Sequence, residues 1–302
     1  MSALDFAALM REERRKMREE LGSSAVCVPT SEQTDTARAM ETPAEPAPGL
    51  GGDEQMHGLA LTPSQPLDLA RYKVGDVDNL YYVPDVVSEE LEPKLQGLVA
   101  SAGRGAGAWK QLKSRRLQCW GCFPAEKIGS GAGAGAGVGA GAGGQSPLSG
   151  PMTCWLDALI DELMRLGVFS PECRPNNVLV NEYSPEEGIL HHTDGPLYFH
   201  RVAVLSLGSD CVLSLRRNLS PSQIGQHFAG DVSSVVLRRR SLFVFENSAY
   251  SAHKHGIEGA PLQVVGQNGP CANGALANAP DCSEVRREGP RISLTFRQLL
   301  VV

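Results

Sequence analysis

Six of the seven histidines in this 302-residue chain fall between residues 191 and 255. One of them opens the triplet His192-Thr193-Asp194, which runs directly into a Gly195-Pro196 turn. In an extended chain, side chains two positions apart project to the same face, so His192 and Asp194 can reach a common ion. A second imidazole is available much later, in Ala252-His253-Lys254-His255-Gly256. Two imidazoles and one carboxylate make a facial triad, which leaves the opposite side of an iron open for substrate and oxygen. His-x-Asp alone has little specificity, because short matches arise by chance and an ordinary hydrogen-bonded core histidine is the commoner origin.

The C-terminal stretch Arg291-Ile292-Ser293-Leu294-Thr295-Phe296-Arg297 alternates without a break. Arg291, Ser293, Thr295 and Arg297 share one face, and Ile292, Leu294 and Phe296 share the other. A half-polar strand also fits a water-facing surface. On the inner face of a barrel, however, two arginines need anionic partners, because a buried unpaired charge is prohibitively costly. A small dicarboxylate would serve, held by charge-assisted, bidentate contacts. Leu179, Asn181 and Tyr183 likewise share a face and offer an amide and a phenol, although an asparagine in a turn and a packed tyrosine would look the same.

The elements that must position these groups are short strands. The sequence predicts strands at 79–84, 177–183, 189–194, 202–207, 211–215, 232–237, 241–245 and 291–299, with residues 109–123 extended. Helices are expected near 89–102 and at 154–166, where Trp155, Leu159, Leu163 and Leu166 recur at helical spacing between charged residues. Helices first and strands later imply an α+β class with an antiparallel sandwich or barrel as its core. The formal charge of −6 is uneven: residues 1–70 hold 12 acidic and 6 basic groups, and residues 71–302 hold 22 of each. Residues 1–77 therefore read as an acidic, largely disordered tail that opens with a short charged helix, and 78–302 as one domain. The Gly/Ala tract at 129–144 and the Gly/Asn/Ala/Pro-rich stretch at 264–289 read as flexible insertions. Gly139, Gly141 and Gly144 match a dinucleotide fingerprint, but no strand precedes them and no helix follows. Cys119-x-x-Cys122 is half a zinc site without a second close pair, so these thiols read as structural, with metal or redox roles as alternatives. The charge excludes a histone-like binder. No run reaches the length of a membrane-spanning helix, and the opening segment does not read as a signal peptide.

Taken in order, Asn181-x-Tyr183, His192-x-Asp194, His255 and Arg291-x-Ser293-x-Thr295-x-Arg297 resemble the AlkB family of iron(II)- and 2-oxoglutarate-dependent dioxygenases. The stretch 178–209 and Leu117-Gln118-Cys119-Trp120-Gly121 extend the resemblance towards a eukaryotic branch of that family. The resemblance implies a double-stranded β-helix, or jelly roll, with flanking helices. It implies Fe(II), 2-oxoglutarate as co-substrate and O2. By motif position, His192, Asp194 and His255 would be the catalytic metal ligands, with His255 chosen over His253 because it precedes Gly256-Ile257. Arg291 would pair with the distal carboxylate of 2-oxoglutarate, assisted by Tyr183, while Asn181 and Arg297 would lie near its carboxylate–keto end. Ser293 stands where the family often has asparagine. The 36 positions from His255 to Arg291 imply an inserted surface loop.

In this family the oxidised carbon is typically an N-methyl group, so the expectation is an oxidative demethylase of N-methylated RNA or DNA. Lys110, Lys113, Arg115 and Arg116 beside Trp109 and Trp120 suit phosphates and stacked bases. Arg216-Arg217 and Arg238-Arg239-Arg240 add positive charge, and a plain solvated basic surface is the competing reading. Two other functions stay open: an oxygenase acting on a protein or small molecule, and a low-turnover scaffold that docks a protein partner through the N-terminal helix. An iron site that needs a reducing setting implies cytoplasm and nucleus, with no membrane.

Overall fold

The structure is a computed structural model and describes residues 59–102, 109–123, 149–219 and 232–300. The expected N-terminal helix, most of the acidic tail and the Gly/Ala tract lie outside the described residues.

The larger sheet runs in the order β1 (Leu80–Val83), β10 (Leu242–Glu246), β7 (Arg201–Leu207), β14 (Arg291–Arg297), β5 (Asn177–Tyr183), β3 (Arg115–Gly121) and β2 (Lys110–Leu112), with the short β4 (Ser149–Gly150) parallel to β3. Apart from β4, its pairs are antiparallel. The smaller sheet runs β6 (Ile189–His192), β11 (His253–Ile257), β8 (Cys211–Arg217), β9 (Val232–Leu237). β12 (Leu262–Val264) and β13 (Glu284–Arg286) form a separate ribbon.

Two cores follow from strand alternation. One face of β14 sends Ile292, Leu294 and Phe296 into a cluster with helices α1 (Leu91–Ala102) and α2 (Cys154–Arg165), which bury Leu95, Val99, Leu156, Leu159 and Leu163. The second core lies between the sheets, where Val202, Phe243 and Phe245 meet Leu213, Leu215 and Val235. Helices cover one face of the larger sheet and the smaller sheet closes over the other, as in a double-stranded β-helix. A short helix, α3 (Asn247–Ser251), links β10 to β11.

Two boundaries differ from the sequence reading. The tail was expected to reach residue 77, yet Leu59 and Leu61 are buried in the helical core, and Val74 and Val77 between the sheets. Leu61 N donates to Glu162 at 2.7 Å and Arg165 donates to the Ser64 carbonyl at 2.7 Å. A few apolar residues suffice to dock this stretch, and polar neighbours hide them from a composition average. The stretch 264–289 was expected to be a flexible insertion, but it packs. Val265, Ala277, Ala279 and Val285 are buried. Asn273 accepts from Val236 N at 2.9 Å and donates to Val236 O at 2.8 Å. Its small residues, which read as loop composition, allow the backbone to lie against β9.

Asn273→Ala removes both hydrogen bonds to a buried backbone and is expected to cost about 1–3 kcal/mol of unfolding free energy. Urea denaturation measures it, and an unchanged midpoint would show the segment to be loosely attached.

Candidate metal centre and active site

The polar face of β14 and its neighbours make three parallel rows. In register across β14, β5 and β3, Arg291 lies opposite Tyr183, Ser293 opposite Asn181 and Arg297 opposite Asn177, while Leu117 continues the Asn181 row. Ser293 also faces Ser206 of β7. The sequence grouping of Asn181, Tyr183, Arg291, Ser293 and Arg297 on one cavity wall therefore corresponds to the geometry.

At one end of this wall, ligand atoms of His192, Asp194 and His255 all lie within 4.8 Å of one another. β6 and β11 bring the imidazoles together by pairing His192 directly with His255, with ring centroids 4.5 Å apart. His192 Nδ1 lies 2.8 Å from the Leu190 carbonyl. A carbonyl only accepts, so Nδ1 carries the proton and Nε2 keeps its lone pair for a metal. Burial pushes the His255 imidazole down to about 4, repulsion from His192 adds to the shift, and Asp194 opposes it. At neutral pH the ring is thus in its uncharged, ligating form. Phe245 packs against it at 5.1 Å between centroids.

Asp194 is held by the last strand. Arg297 Nη1 donates to its Oδ1 at 2.9 Å, with both side chains under a tenth exposed. Burial alone would raise the Asp194 carboxyl, but Arg297, His255 and His192 outweigh it and keep it below the ordinary carboxylate range. Its Oδ2 is buried without a partner. A carboxylate oxygen and two imidazoles converging on one point fit a divalent metal, and the orphaned oxygen is the atom such an ion would satisfy. Arg297 is fixed in turn: its Nε donates to Asn177 Oδ1 at 3.0 Å, and its guanidinium lies over the Tyr198 ring at 4.1 Å. Tyr250 donates to the Gly195 carbonyl beside Asp194.

The far end of the wall is strongly cationic. Arg291 is almost wholly buried, donates to Ser206 Oγ at 3.0 Å, and has an unpartnered Nε. Its guanidinium carbon lies 5.9 Å from the Tyr183 ring centre. Arg115 Nε donates to Asn181 Oδ1 at 3.0 Å from the other flank of Tyr183. Arg287, also buried, donates to the carbonyls of Ser184, Pro185 and Glu187. None of the three has a carboxylate partner among the described residues. Burial raises the Tyr183 phenol against the pull of Arg115, Arg291 and Arg287. Such a pocket fits a carboxylate-bearing ligand.

The expected substrate residues separate. Lys113 is exposed at the β2–β3 turn and Lys110 is half-buried on β2. Arg116 is paired with Glu182 at 2.7 Å and stacked over Trp109 at 4.4 Å. Arg115 turns inward to the cavity. Trp120 corrects the expectation of a stacking platform: it is buried in the helical core and donates to Gln118 at 3.1 Å, because its strand position faces the helices. Cys119 is buried, and burial pushes its thiol up to about 11; Cys122 is exposed. Sequence reasoning missed Asn177, Tyr198, Ser206, Tyr250 and Arg287. Asn177 shares the parity of Asn181 and Tyr183, so extending that face would have found it.

This fold, with a two-histidine, one-carboxylate cluster facing a cationic pocket, defines an iron(II)- and 2-oxoglutarate-dependent dioxygenase. The chain is 30% identical over 237 residues to the probable RNA/DNA demethylase ALKBH6 of Danio rerio, covering 77% of this chain and 91% of that one. It therefore belongs to the AlkB family. It is also 27% identical over 154 residues, 51% of its length, to 21% of the tRNA (carboxymethyluridine(34)-5-O)-methyltransferase ALKBH8 of Macaca fascicularis. Among solved structures, OsALKBH1 overlays 73% of the chain and 98% of its own at a TM-score of 0.46 and 14% identity. No family model matches the chain. Among the described residues, no helix is long and apolar enough to cross a membrane.

Asp194→Asn keeps the size of the side chain but leaves Arg297 buried without its counter-charge. We expect a loss of about 3–5 kcal/mol in metal-free protein, read by chemical denaturation; a loss below about 1 kcal/mol would show that the pair does not hold β14 to the metal loop.

Proposed function

We propose that this dioxygenase removes N-methyl groups from nucleic acid by oxidation, with His192, Asp194 and His255 holding the iron. The convergence of these three residues on one point, facing a carboxylate-free row of arginines, carries the reading. The substrate class is supported by the relatives: one is called a probable RNA/DNA demethylase, and another acts on tRNA by its name.

Each wall residue then has a task. Arg291 and Tyr183 hold the distal carboxylate of 2-oxoglutarate, and Arg115 adds charge from the opposite side of Tyr183. Asn181 and Ser293 line the middle row. Arg297 keeps Asp194 ionised and fixed in direction, and Phe245 shields one side of His255 from water. Bound iron supplies the coupling of oxygen activation to decarboxylation of 2-oxoglutarate, an oxidation that no side chain can perform. The protein's share is geometry and exclusion of water. The hydroxylated methyl group leaves as formaldehyde. The reaction needs a neutral His255, which its burial secures. A reducing compartment, cytoplasm or nucleus, suits a ferrous site.

Iron-loaded protein is expected to form succinate from 2-oxoglutarate and to release formaldehyde from at least one member of a panel of N-methylated oligonucleotides. His192→Ala should abolish both products. Arg291→Gln should raise the KM for 2-oxoglutarate roughly 10- to 100-fold, the scale of a lost charge-assisted contact. Succinate formation that survives His192→Ala would overturn the metal assignment. Turnover with methylated peptides and none of the oligonucleotides would overturn the substrate class.

A further inference from the structure

The arginine clusters that the sequence offers for phosphate are mostly neutralised within the fold. Arg238 pairs with Asp210 at 2.8 Å, and Arg239 with the buried Glu92. Arg240 reaches Asp85 and Glu89 at 3.1 Å each, and Arg116 pairs with Glu182. These groups hold the protein together and have little charge left for a ligand.

Arg216 and Lys254 are different. They lie directly opposite each other on β8 and β11. Both are exposed, and neither makes an ion pair or side-chain hydrogen bond among the described residues. Like charges directly opposite across two strands repel and destabilise the pair. On the same face, one row along, His191 Nε2 contacts Ser214 Oγ at 2.6 Å across Gly256. Gly256 is needed there, because a Cβ would sit 3.0 Å from His191 N and Ile189 O. Further along, this face is covered: Gln263 accepts from Val212 N at 2.7 Å, and Gln263, Gln267 and Asn268 close over Val212 and Ser214. The cover reaches Val232, in register with Arg216, at Gly269, yet leaves Arg216 and Lys254 exposed.

The position of this patch ties it to the metal cluster. His255 is on β11 beside Lys254, with its side chain on the opposite face, and β6, which carries His192, is the edge strand of the sheet. Only one strand, about 4.8 Å, separates Lys254 from that edge. On β6, Leu190 is largely exposed.

We propose that Arg216 and Lys254 form a ledge that binds the phosphate backbone of the substrate strand as it crosses the β6 edge, flanking the nucleotide that enters the metal site. The inference rests on the nucleic-acid reading above and locates where that polymer lies. A repulsive pair left bare beside the active-site edge is relieved by an anion that spans both cations. A phosphodiester backbone supplies such anions at regular spacing.

Fluorescence anisotropy of a labelled single-stranded methylated oligonucleotide, with full-length iron-loaded protein and 2-oxoglutarate under anaerobic conditions, tests the ledge. The double variant Arg216→Gln/Lys254→Gln should bind roughly 5- to 30-fold more weakly near 0.1 M salt, and its slope of log affinity against log salt should fall by about 1.4. Lys94→Gln, which removes an exposed charge on α1, should change neither. Arg216→Lys/Lys254→Arg, which keeps both charges, should bind like the wild type. A double variant with wild-type affinity and slope overturns the ledge and leaves the nucleic-acid reading intact. Wild-type protein that binds no oligonucleotide even at low salt overturns both.

Discussion

The ion pair between Asp194 and Arg297 is the contact on which the rest of the active centre depends. It joins the last strand of the chain to the loop that follows β6, across 103 residues of sequence. Removing two charges from water is costly, and their mutual attraction offsets this only when the remaining donors and acceptors are satisfied. Here Asn177 and Tyr198 occupy the other side of the guanidinium. Within the pair, Asp194 Oδ2 is left unsatisfied, and a carboxylate oxygen of Asp194 lies within 4.8 Å of the imidazole ligand atoms. The pair therefore fixes the direction of the ligand oxygen and keeps it ionised. Strand register places the two imidazoles, and one buried charge pair fixes Asp194 in the loop that follows β6.

The opposite end of the cavity wall follows the reverse logic. Arg291, Arg287 and Arg115 are buried around Tyr183 and have only neutral partners: a hydroxyl, three carbonyls and an amide oxygen. Such a set is poorly stabilised when the pocket holds only water and gains most when a carboxylate arrives. A dicarboxylate would be favoured over a monocarboxylate by this imbalance, because one end could meet the metal cluster and the other guanidinium. Because Arg287 also ties down the β5–β6 turn, the same charge that favours the ligand helps to aim His192.

The polar wall on β14 and β5 was legible because strand parity converts sequence spacing directly into a shared face. Arg291, Ser293 and Arg297 could be grouped with no knowledge of what they faced, as could Asn181 with Tyr183. What stayed hidden depends on packing between elements distant in sequence. Trp120 looks like a stacking residue until the helices that cover its face are in place. Arg115 looks like surface charge until β3 is paired with β5. His255 sits on β11, a strand that its own composition, His-Lys-His-Gly-Ile, does not announce; only pairing with β6 and β8 makes it extended. The 264–289 segment was misread for the same reason, since Gly, Ala and Asn signal a loose loop unless a sheet lies close enough for small residues to pack against.

Charge distribution ties these observations together. The chain's excess of −6 resides before residue 71, and the remainder balances, so neither sign of net charge directs a ligand to the domain. Direction has to come from which cations are left without partners. Among the described residues, most surface arginines are paired with Asp or Glu and act as struts. The cations without acidic partners among the described residues include three buried around Tyr183, where a carboxylate-bearing anion would fit, and two exposed on β11, the strand next to β6, and on β8 beyond it. Buried guanidiniums bind strongly and specifically because water is excluded, whereas exposed ones bind weakly and in a salt-dependent way. A co-substrate held until it is consumed and a polymer released afterwards would call for those two different strengths, and the fold sets the buried cations against the larger sheet and the exposed pair on the smaller one.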